Sequence, residues 1–429
     1  MNSALFILHS AFCTLLALFI WAPGAAAAQQ PTVAPWDTIP AKITAGEADG
    51  ERPRRNLMPF LNWDWGFTTF HIGLATGFDI AWFAQDDDSK EQLTMDEGLK
   101  WRDFRFVGNG RFKSKRPITW QFGVMWDGVS EDWFIRQTGI MIAVPEIWGN
   151  IFIGRAKEGI SLSKVIQGYQ IIPVERMNFT DATIPILADG IKWLGYVPEK
   201  HIFWNFGAFT DWLSEGQSFS SYDYQFALRG GWVSMESDSA GKLFHAGLNL
   251  RTGHVNNDTL QLRARPESNV APYFIDTGKF PAQSTSMAGF EAFYRLGAVM
   301  YGTEYYWQFV NSPETGDPMF QGGEIFASWF LTGETRGYNT SGGYFKGISP
   351  RKTLFEGGPG AWEAVVRLSY SDFNNQGVEG GEFWRITPQV SWYLTDYSRI
   401  EFIYGYGVLD KFGLNGATQF LQTRYQVNF

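Results

Sequence analysis

Residues 417–429 read ATQFLQTRYQVNF and are the last thirteen of the sequence. From residue 421 on, apolar or small residues alternate with polar ones: Leu421, Thr423, Tyr425, Val427 and Phe429 on one side, and Gln422, Arg424, Gln426 and Asn428 on the other. Side chains of a β-strand point alternately to its two faces, so one face would suit lipid and the other water. This segment is therefore predicted to be a membrane-spanning strand.

The same period of two recurs from residue 69 onwards. In 118–127, for example, Trp120 and Phe122 alternate with Gln121 and Gly123. Such alternation is typical of strands and not of helices. We predict an all-β fold, a closed transmembrane antiparallel β-barrel of about sixteen strands, an even number as bacterial outer-membrane barrels have. The predicted starts lie near residues 69, 100, 118, 136, 149, 190, 201, 221, 242, 287, 301, 321, 360, 381, 398 and 418.

The connections between these strands alternate between the two ends of the barrel. If the C-terminus lies on the inner, periplasmic side, short connections fall inside and long ones outside, as is usual in such barrels. The short inner turns are 113–117, 145–148, 197–200 and 395–398, and the long outer loops are 84–99, 156–189 and 254–286. One connection breaks the pattern, because 334–359 is long but falls on the inner side.

The N-terminal part of the chain differs from the rest. Residues 1–28 contain an apolar run followed by Ala26-Ala27-Ala28, which predicts a cleaved secretory signal peptide; an uncleaved anchor helix is the alternative. We expect 29–68 to be a periplasmic segment and 69–429 to be the barrel. The single cysteine lies within the signal peptide, so disulfides and thiolate metal sites are not expected in the mature chain.

The composition fits a protein of the outer membrane. Aromatic residues make up 17% of the chain, an excess that girdles at both membrane interfaces would explain. A terminal Phe429, together with Tyr425 and Val427, resembles the C-terminal assembly signal of Gram-negative outer-membrane barrels, so we expect outer-membrane lipid as a partner. The net charge of −9 argues against binding to nucleic acid.

Catalysis has little support in the sequence. HExxH, GxSxG and phosphate-loop motifs are absent, and His71 and His245 fall in the polar, lumen-facing rows. We expect no enzymatic activity, no cofactor and no metal. The carboxylates of residues 86–88 could bind Ca²⁺ in an outer loop, although we favour a solvated loop as their explanation.

Several motifs resemble one known family. Three pairs of stretches carry the resemblance: GRAKEGISLSK at 154–164 with ERMNF at 175–179, LTGETRGY at 331–338 with FKGISP at 345–350, and GGPGAWEAVVRLSYSDFN at 357–374 with WYLT at 392–395. They are similar to stretches of the phosphate-selective porin O and P family. The resemblance implies a homotrimer of sixteen-stranded barrels, each with its own pore. It also implies that an outer loop folds inward as the constriction, and that a second outer loop and a long inner turn fold in as well.

Basic residues within or next to the three long connections 156–189, 254–286 and 334–359 are the predicted pore residues. Arginine forks suit oxyanions, and fixed charges act strongly in a narrow pore. The alternative is that these charges are solvated or form salt bridges that hold the loops to the wall. The candidates are Arg155, Lys157, Lys164, Arg176, Arg251, Arg263, Arg265, Arg336, Lys346, Arg351 and Lys352.

The lumen-facing rows carry both signs of charge, and the basic ladder of phosphate-specific members is incomplete. The basic residues of these rows are Arg105, Arg111, Arg229, Arg367 and Arg424, and the acidic residues are Asp79, Asp127, Glu291, Glu324 and Glu363. We therefore expect a porin through which small hydrophilic solutes or ions diffuse passively, with a preference for phosphate-like anions as a further expectation. The main alternative is a non-conducting barrel with a surface binding or adhesion role.

Overall fold

Sixteen long strands form the barrel in the computed structural model, which describes residues 61–128, 130–213, 221–235 and 241–429. The predicted signal peptide and most of the segment 29–68 lie outside the described residues, so that division stays a prediction. The strands are β1 Thr69–Gln85, β2 Gly98–Phe112, β3 Ile118–Asp127, β4 Thr138–Val144, β5 Gly149–Ala156, β6 Ala188–Val197, β7 Ile202–Thr210, β8 Tyr222–Met235, β9 Lys242–Val255, β10 Ser284–Leu296, β11 Val299–Asn311, β12 Met319–Phe330, β13 Ala361–Asn375, β14 Val378–Tyr393, β15 Ser398–Lys411 and β16 Leu414–Asn428.

Every strand pairs antiparallel with its neighbours in the chain, and the first pairs with the last. The closing register between β1 and β16 runs from Ala75↔Asn428 to Gln85↔Thr418. Closure leaves no unpaired strand edge in lipid, which a membrane barrel requires. The predicted class and strand number are confirmed, and each predicted start lies within four residues of the observed one, the largest difference being 418 against 414.

The alternating pattern places apolar side chains outside and polar ones inside. In β16, Leu421 and Tyr425 are exposed, whereas Gln422 and Arg424 are fully buried. The same holds in β9, where Leu248 is 67% exposed and the adjacent Asn249 is fully buried. An outward apolar face of this kind is the surface that lipid solvates. At the end of β16, the backbone of Phe429 pairs with Leu74 in both directions, at 2.9 and 3.1 Å.

Short elements complete the described part of the chain. Three short helices occur, α1 Asp87–Gln92, α2 Leu162–Val165 and α3 Asn178–Thr183, and none of the described helices is long and apolar enough to cross a membrane. The 3₁₀ turns are Pro145–Ile147, Pro198–Lys200, Asn256–Asp258, Pro313–Thr315 and Leu354–Glu356. The short strands are Asn62–Asp64, Trp133–Ile135, Thr259–Leu260, Arg263–Ala264, Ile275–Asp276, Phe280–Pro281, Tyr338–Asn339 and Tyr344–Phe345.

Three long connections fold into the lumen, as the sequence predicts. We call them the constriction loop (157–187), the second outer loop (256–283) and the inner connection (331–360). The inner connection leaves β12 at the barrel edge that also carries Asn428, so it enters from the inner side. Two apolar clusters pack these segments against the wall, one around Phe179 and Phe274 and one around Phe203 and Phe345. Much of the lumen is therefore filled.

Candidate functional site

The constriction loop crosses the lumen and is held to the wall by ion pairs at both of its ends. Near its start, Glu158 accepts hydrogen bonds from Arg251 at 2.7 and 3.2 Å. Near its end, Glu175 accepts two hydrogen bonds of 3.0 Å from Arg102 and another from Arg424. Buried, bidentate pairs of this kind fix a side chain in one position. The loop is thus anchored to opposite parts of the wall.

Two glutamates of the wall hold the short helix α2 within this loop. The backbone N–H of Leu162 donates to Glu304 at 2.5 Å and to Glu291 at 3.0 Å, and the N–H of Ser163 donates to Glu304 at 3.2 Å. These are unpaired N–H groups of a first helical turn, for which carboxylates are natural acceptors. Glu291 also binds Arg229 and His245. The histidine thus belongs to a wall network.

Wall side chains hold the other two inward segments in the same way. In the second outer loop, Glu267 pairs with Arg367. In the inner connection, Arg336 pairs with Glu363 at 2.7 Å and donates to the Tyr393 hydroxyl at 2.9 Å. Most lumenal arginines therefore have carboxylate or carbonyl partners on a segment that folds inward. Tyr393 is buried and faces inward, so it does not belong to the aromatic girdles at the membrane interfaces.

The open space lies above the constriction loop, on its outer side. A wide vestibule of about 980 Å³ narrows into a constriction cavity of about 160 Å³. The two cavities adjoin each other, since Asp127, Arg136 and Ile184 line both of them. Six cations and five acids line the constriction cavity: Arg102, Arg105, Arg136, Lys157, Lys164 and Arg176 against Asp103, Asp127, Glu158, Glu175 and Asp181.

The acids of the constriction cavity are largely neutralised. Asp103 pairs with Arg102 and Arg105, at 2.7 and 2.6 Å. Asp181 pairs with Lys164 at 3.0 Å. Glu158 and Glu175 form the anchoring pairs described above. Only Asp127 differs, because its carboxylate accepts from the backbone N–H and hydroxyl of Ser130 at 2.9 and 3.0 Å.

Three cations of the constriction cavity have no carboxylate within salt-bridge distance among the described residues. Lys157 donates to the carbonyls of Val165 and Ile166, at 3.4 and 2.6 Å. Arg176 donates to the carbonyls of Ser163 and Ile166, at 3.1 Å each. The guanidinium of Arg136 has no protein partner within the described part of the chain. We call Arg136, Lys157 and Arg176 the unpaired cations.

Burial and mutual repulsion act on these groups. Burial, reinforced by Arg176, Arg136 and Arg105, holds the pKa of Lys157 well below its usual range. The same causes lower the pKa of Arg136 and of Arg176, although arginine keeps its charge at neutral pH. The site is thus a region of concentrated positive charge, which attracts anions.

The structure brings together only some of the predicted pore residues. Lys157, Lys164 and Arg176 line the constriction cavity, whereas Arg263 and Arg265 lie in the vestibule on the ring of Tyr273, at 4.7 and 4.5 Å from its centre. The others do not line either of these two cavities. Arg155, Arg251 and Arg336 are buried in ion pairs with Asp189, Glu158 and Glu363, while Lys346, Arg351 and Lys352 belong to the inner connection.

Sequence reasoning missed two cations of the site. Arg102 was not singled out, because strict alternation from Arg105 places it on the outer face of β2, and only the bulge opposite Gly77 and Phe78 brings it into the cavity. Arg136 stands between the short strand Trp133–Ile135 and β4, where a strand start was predicted. Neither position carries a sequence signal, since only the folded constriction loop brings them beside Lys157. Arg105, by contrast, was assigned to the lumen-facing row and does line the cavity.

Comparison with known proteins agrees with this architecture. A family model described as phosphate-selective porin O and P matches residues 75–429. A protein of Caulobacter vibrioides, described as uncharacterized, is 37% identical over 144 residues, which is 34% of this chain and only 28% of that protein.

Solved structures share the fold at low sequence identity. An anion-selective porin from Comamonas acidovorans has a TM-score of 0.53 at 11% identity, covering 84% of this chain and 99% of that one. The outer membrane channel DcaP of Acinetobacter baumannii has 0.53 at 7%, covering 85% and 99%. OmpT of Vibrio cholerae, an outer membrane protein in trimer form, has 0.51 at 10%, covering 85% and 100%.

Proposed function

Because this chain belongs to the phosphate-selective porin O and P family, and is thereby a porin of the Gram-negative outer membrane, we propose that it lets small anions diffuse passively through its constriction cavity. No energy source enters this proposal, since solutes would move down their gradients. The expectation that the protein catalyses no reaction stays a prediction.

The single observation that carries the proposed anion preference is the charge of the constriction cavity. Its acids are almost all in ion pairs, while Arg136, Lys157 and Arg176 have none. An anion in the cavity would meet uncompensated positive charge where the passage is narrow and screening by water is weakest. The anionic oxygens of phosphate or carboxylate suit such donors. The single negative charge of the Asp127 carboxylate acts against this preference for anions.

Planar lipid bilayers give the direct test of channel activity. Purified protein should produce stepwise increases in current in chloride salt, and addition of phosphate should reduce the chloride current, because both anions would share one cavity. Protein that inserts, as shown by heat-modifiable migration on a gel, but passes no current would contradict the proposal.

One observation favours the alternative, a non-conducting barrel whose outer loops bind a partner. The inward segments fill much of the lumen, and a cavity on the inner side of the constriction loop has only about 30 Å³. That is about the volume that one water molecule occupies in the liquid. The bilayer test separates the two functions, since only the porin conducts.

We also propose that the protein is a homotrimer. A spanning strand needs about 9–11 residues, yet β4 has 7 and β5 has 8. Their outward side chains are apolar; Ile140 is 43% and Ile153 48% exposed. Strands too short to cross the hydrocarbon would be covered better by another subunit than by lipid. The related OmpT fold is described in trimer form.

A polar substitution on these short strands should weaken the trimer. We expect Ile153→Asn to yield monomers on mild-detergent gels, because an amide would replace an apolar contact between subunits. The matched control is Ile325→Asn on β12, a strand of 12 residues on which Ile325 is 58% exposed. Equal trimer yields for the two variants would argue against this face as the interface.

The anion preference should also weaken as the pH rises. The pKa of Lys157 is held well below its usual range, so this ammonium should lose its proton, and its attraction for anions, earlier than an ordinary lysine with a pKa of about 10.4. Reversal potentials measured between pH 7 and pH 10 should show the loss. A Lys157→Met variant should show a flatter profile; a profile as steep as that of the wild type would assign the titration to another group.

A further inference from the structure

The tip of the constriction loop presses an aromatic ring against the barrel wall. The tip is a turn in which the backbone N–H of Gln170 donates to the carbonyl of Gln167 at 2.8 Å. Tyr169 lies in this turn, and its ring rests on β1 at Gly77, where an added methyl group would come within 3.1 Å of the ring. Glycine at this position therefore leaves room for the ring.

Polar contacts hold Tyr169 through its hydroxyl group and through its backbone carbonyl. Its hydroxyl donates to the carboxylate of Asp103 on β2, and its carbonyl accepts from the side-chain amide of Gln426 on β16 at 2.8 Å. The side chain is only 5% exposed. The ring thus occupies a fixed position beside the wall.

Two arginines that line the constriction cavity stand beside this ring. The guanidinium carbon of Arg105 lies 4.4 Å from the ring centre, and that of Arg102 lies 5.6 Å from it. Cations favour such positions near aromatic rings. Tyr169 and the cationic wall are therefore found at one level of the lumen.

The ring also lies between two cavities. Gly168 lines the constriction cavity on the outer side, whereas Tyr169 and Gln170 line the cavity of about 30 Å³ on the inner side. The inner cavity is bounded by Arg399 and by the inner turn that begins at Thr395. The residues that line one cavity do not line the other. The tip of the constriction loop, which carries Tyr169, therefore lies between the two cavities.

We propose that the ring of Tyr169 is the narrowest point of the passage and sets the size limit of the solutes that cross. The inference rests on the proposed porin function and adds the residue that limits solute size. The bulk of the ring excludes large solutes, while the unpaired cations of the adjoining constriction cavity attract anions. Size and charge are thereby selected in neighbouring parts of the lumen, by different side chains.

Removal of the ring tests this inference. Tyr169→Ala should raise the single-channel conductance about twofold or more, because pore width governs permeation. In swelling assays with protein-containing liposomes, the variant should also admit larger neutral sugars than the wild type does. The matched control is Tyr301→Ala, which removes a tyrosine ring from the outer face of β11, where it is 54% exposed, and should change neither quantity. An unchanged Tyr169→Ala channel would overturn the inference.

A second variant separates the bulk of the ring from the anchoring of the loop. Tyr169→Phe loses the hydrogen bond to Asp103 but keeps the ring, so it should keep the wild-type size limit. If Tyr169→Phe and Tyr169→Ala raised the size limit of the channel equally, the hydrogen bond of the hydroxyl group and not the ring would set that limit. This result would overturn the inference. If the wild-type protein passed no current but the Tyr169→Ala variant did, the result would support the inference and contradict the proposed function of the wild type. If neither protein passed current, the result would contradict the inference and the proposed function.

Discussion

The triple variant Arg136→Gln/Lys157→Gln/Arg176→Gln is expected to lose the anion preference of the channel. These are the unpaired cations of the constriction cavity, and glutamine keeps much of their bulk and polarity without their charge. A unit charge about 4 Å away contributes about 1 kcal/mol even in bulk water, and more where the dielectric constant is lower. Since 1.4 kcal/mol corresponds to a factor of ten, three such losses should lower anion occupancy at least about tenfold.

The remaining charges predict the sign of the change. With the unpaired cations removed, Asp127 is the one acid of the cavity without a salt bridge among the described residues. The reversal potential in a salt gradient should therefore move through zero towards cation preference.

Arg263 and Arg265 provide the matched control for the triple variant. They carry the same kind of charge but lie in the wide vestibule. Charges there are screened over a Debye length of about 8 Å at physiological salt. The double variant Arg263→Gln/Arg265→Gln should therefore shift the reversal potential less. A larger shift for the vestibule pair than for the triple variant would locate the selectivity in the vestibule instead.

The largest expected effect on stability follows from Glu175→Gln. This carboxylate lies between two wall arginines, Arg102 and Arg424, and it fastens the end of the constriction loop. Glutamine would leave both guanidinium groups without this counter-charge. Removal of one partner from a buried pair costs about 3–5 kcal/mol. We expect a loss near the lower end of that range, since Arg102 keeps Asp103 and Arg424 keeps Asp79.

Urea unfolding of the protein in lipid vesicles would measure the loss. The matched control is Glu91→Gln, the same change at an exposed position of helix α1, which should leave the unfolding midpoint unchanged. Proteolysis offers a second readout, because a released constriction loop should be cut faster. Equal midpoints for the two variants would mean that Glu175 does not anchor the loop.

The same carboxylate predicts a dependence of stability on pH. The arginines beside Glu175 hold its pKa well below the usual value, which is about 4.3 for glutamate. Its contribution to stability should be complete above pH ~4.3 and should decline as the pH falls below that value, since the unfolded chain then binds the proton more readily. In Glu175→Gln this part of the acid sensitivity should disappear.

Strand positions could be predicted from the sequence because lipid and water impose a strict alternation. In β16, Arg424 must face the lumen while the residues on either side of it face lipid, so the pattern can be read without any partner strand. The long connections were predicted for a related reason. Because the length of a spanning strand is known, the residues left over between two strand starts give the length of the connection. Both inferences need only local sequence.

The roles of the arginines depend on residues far away in the sequence. Arg251 binds Glu158, 93 residues earlier, and Arg424 binds Asp79, 345 residues earlier. Sequence spacing carries no information about such pairs. Whether an arginine faces the pore or holds a loop is decided by which carboxylate the folded loop presents to it. This is why Arg251 was a predicted pore residue although it is buried against Glu158.

Arg136 illustrates the opposite case. It lies in an irregular segment before β4, where neither alternation nor a motif marks it. Its importance comes only from its position opposite Lys157 and Arg176 in the cavity. A site assembled from single residues of different segments leaves no periodic signal in the sequence.

The reversal potential of the wild-type channel in a potassium chloride gradient tests the central claim most directly. The unpaired cations predict a potential with the sign of the chloride equilibrium potential, and a shift towards zero when the triple variant replaces the wild type. A wild-type potential with the sign of the potassium equilibrium potential would contradict the account.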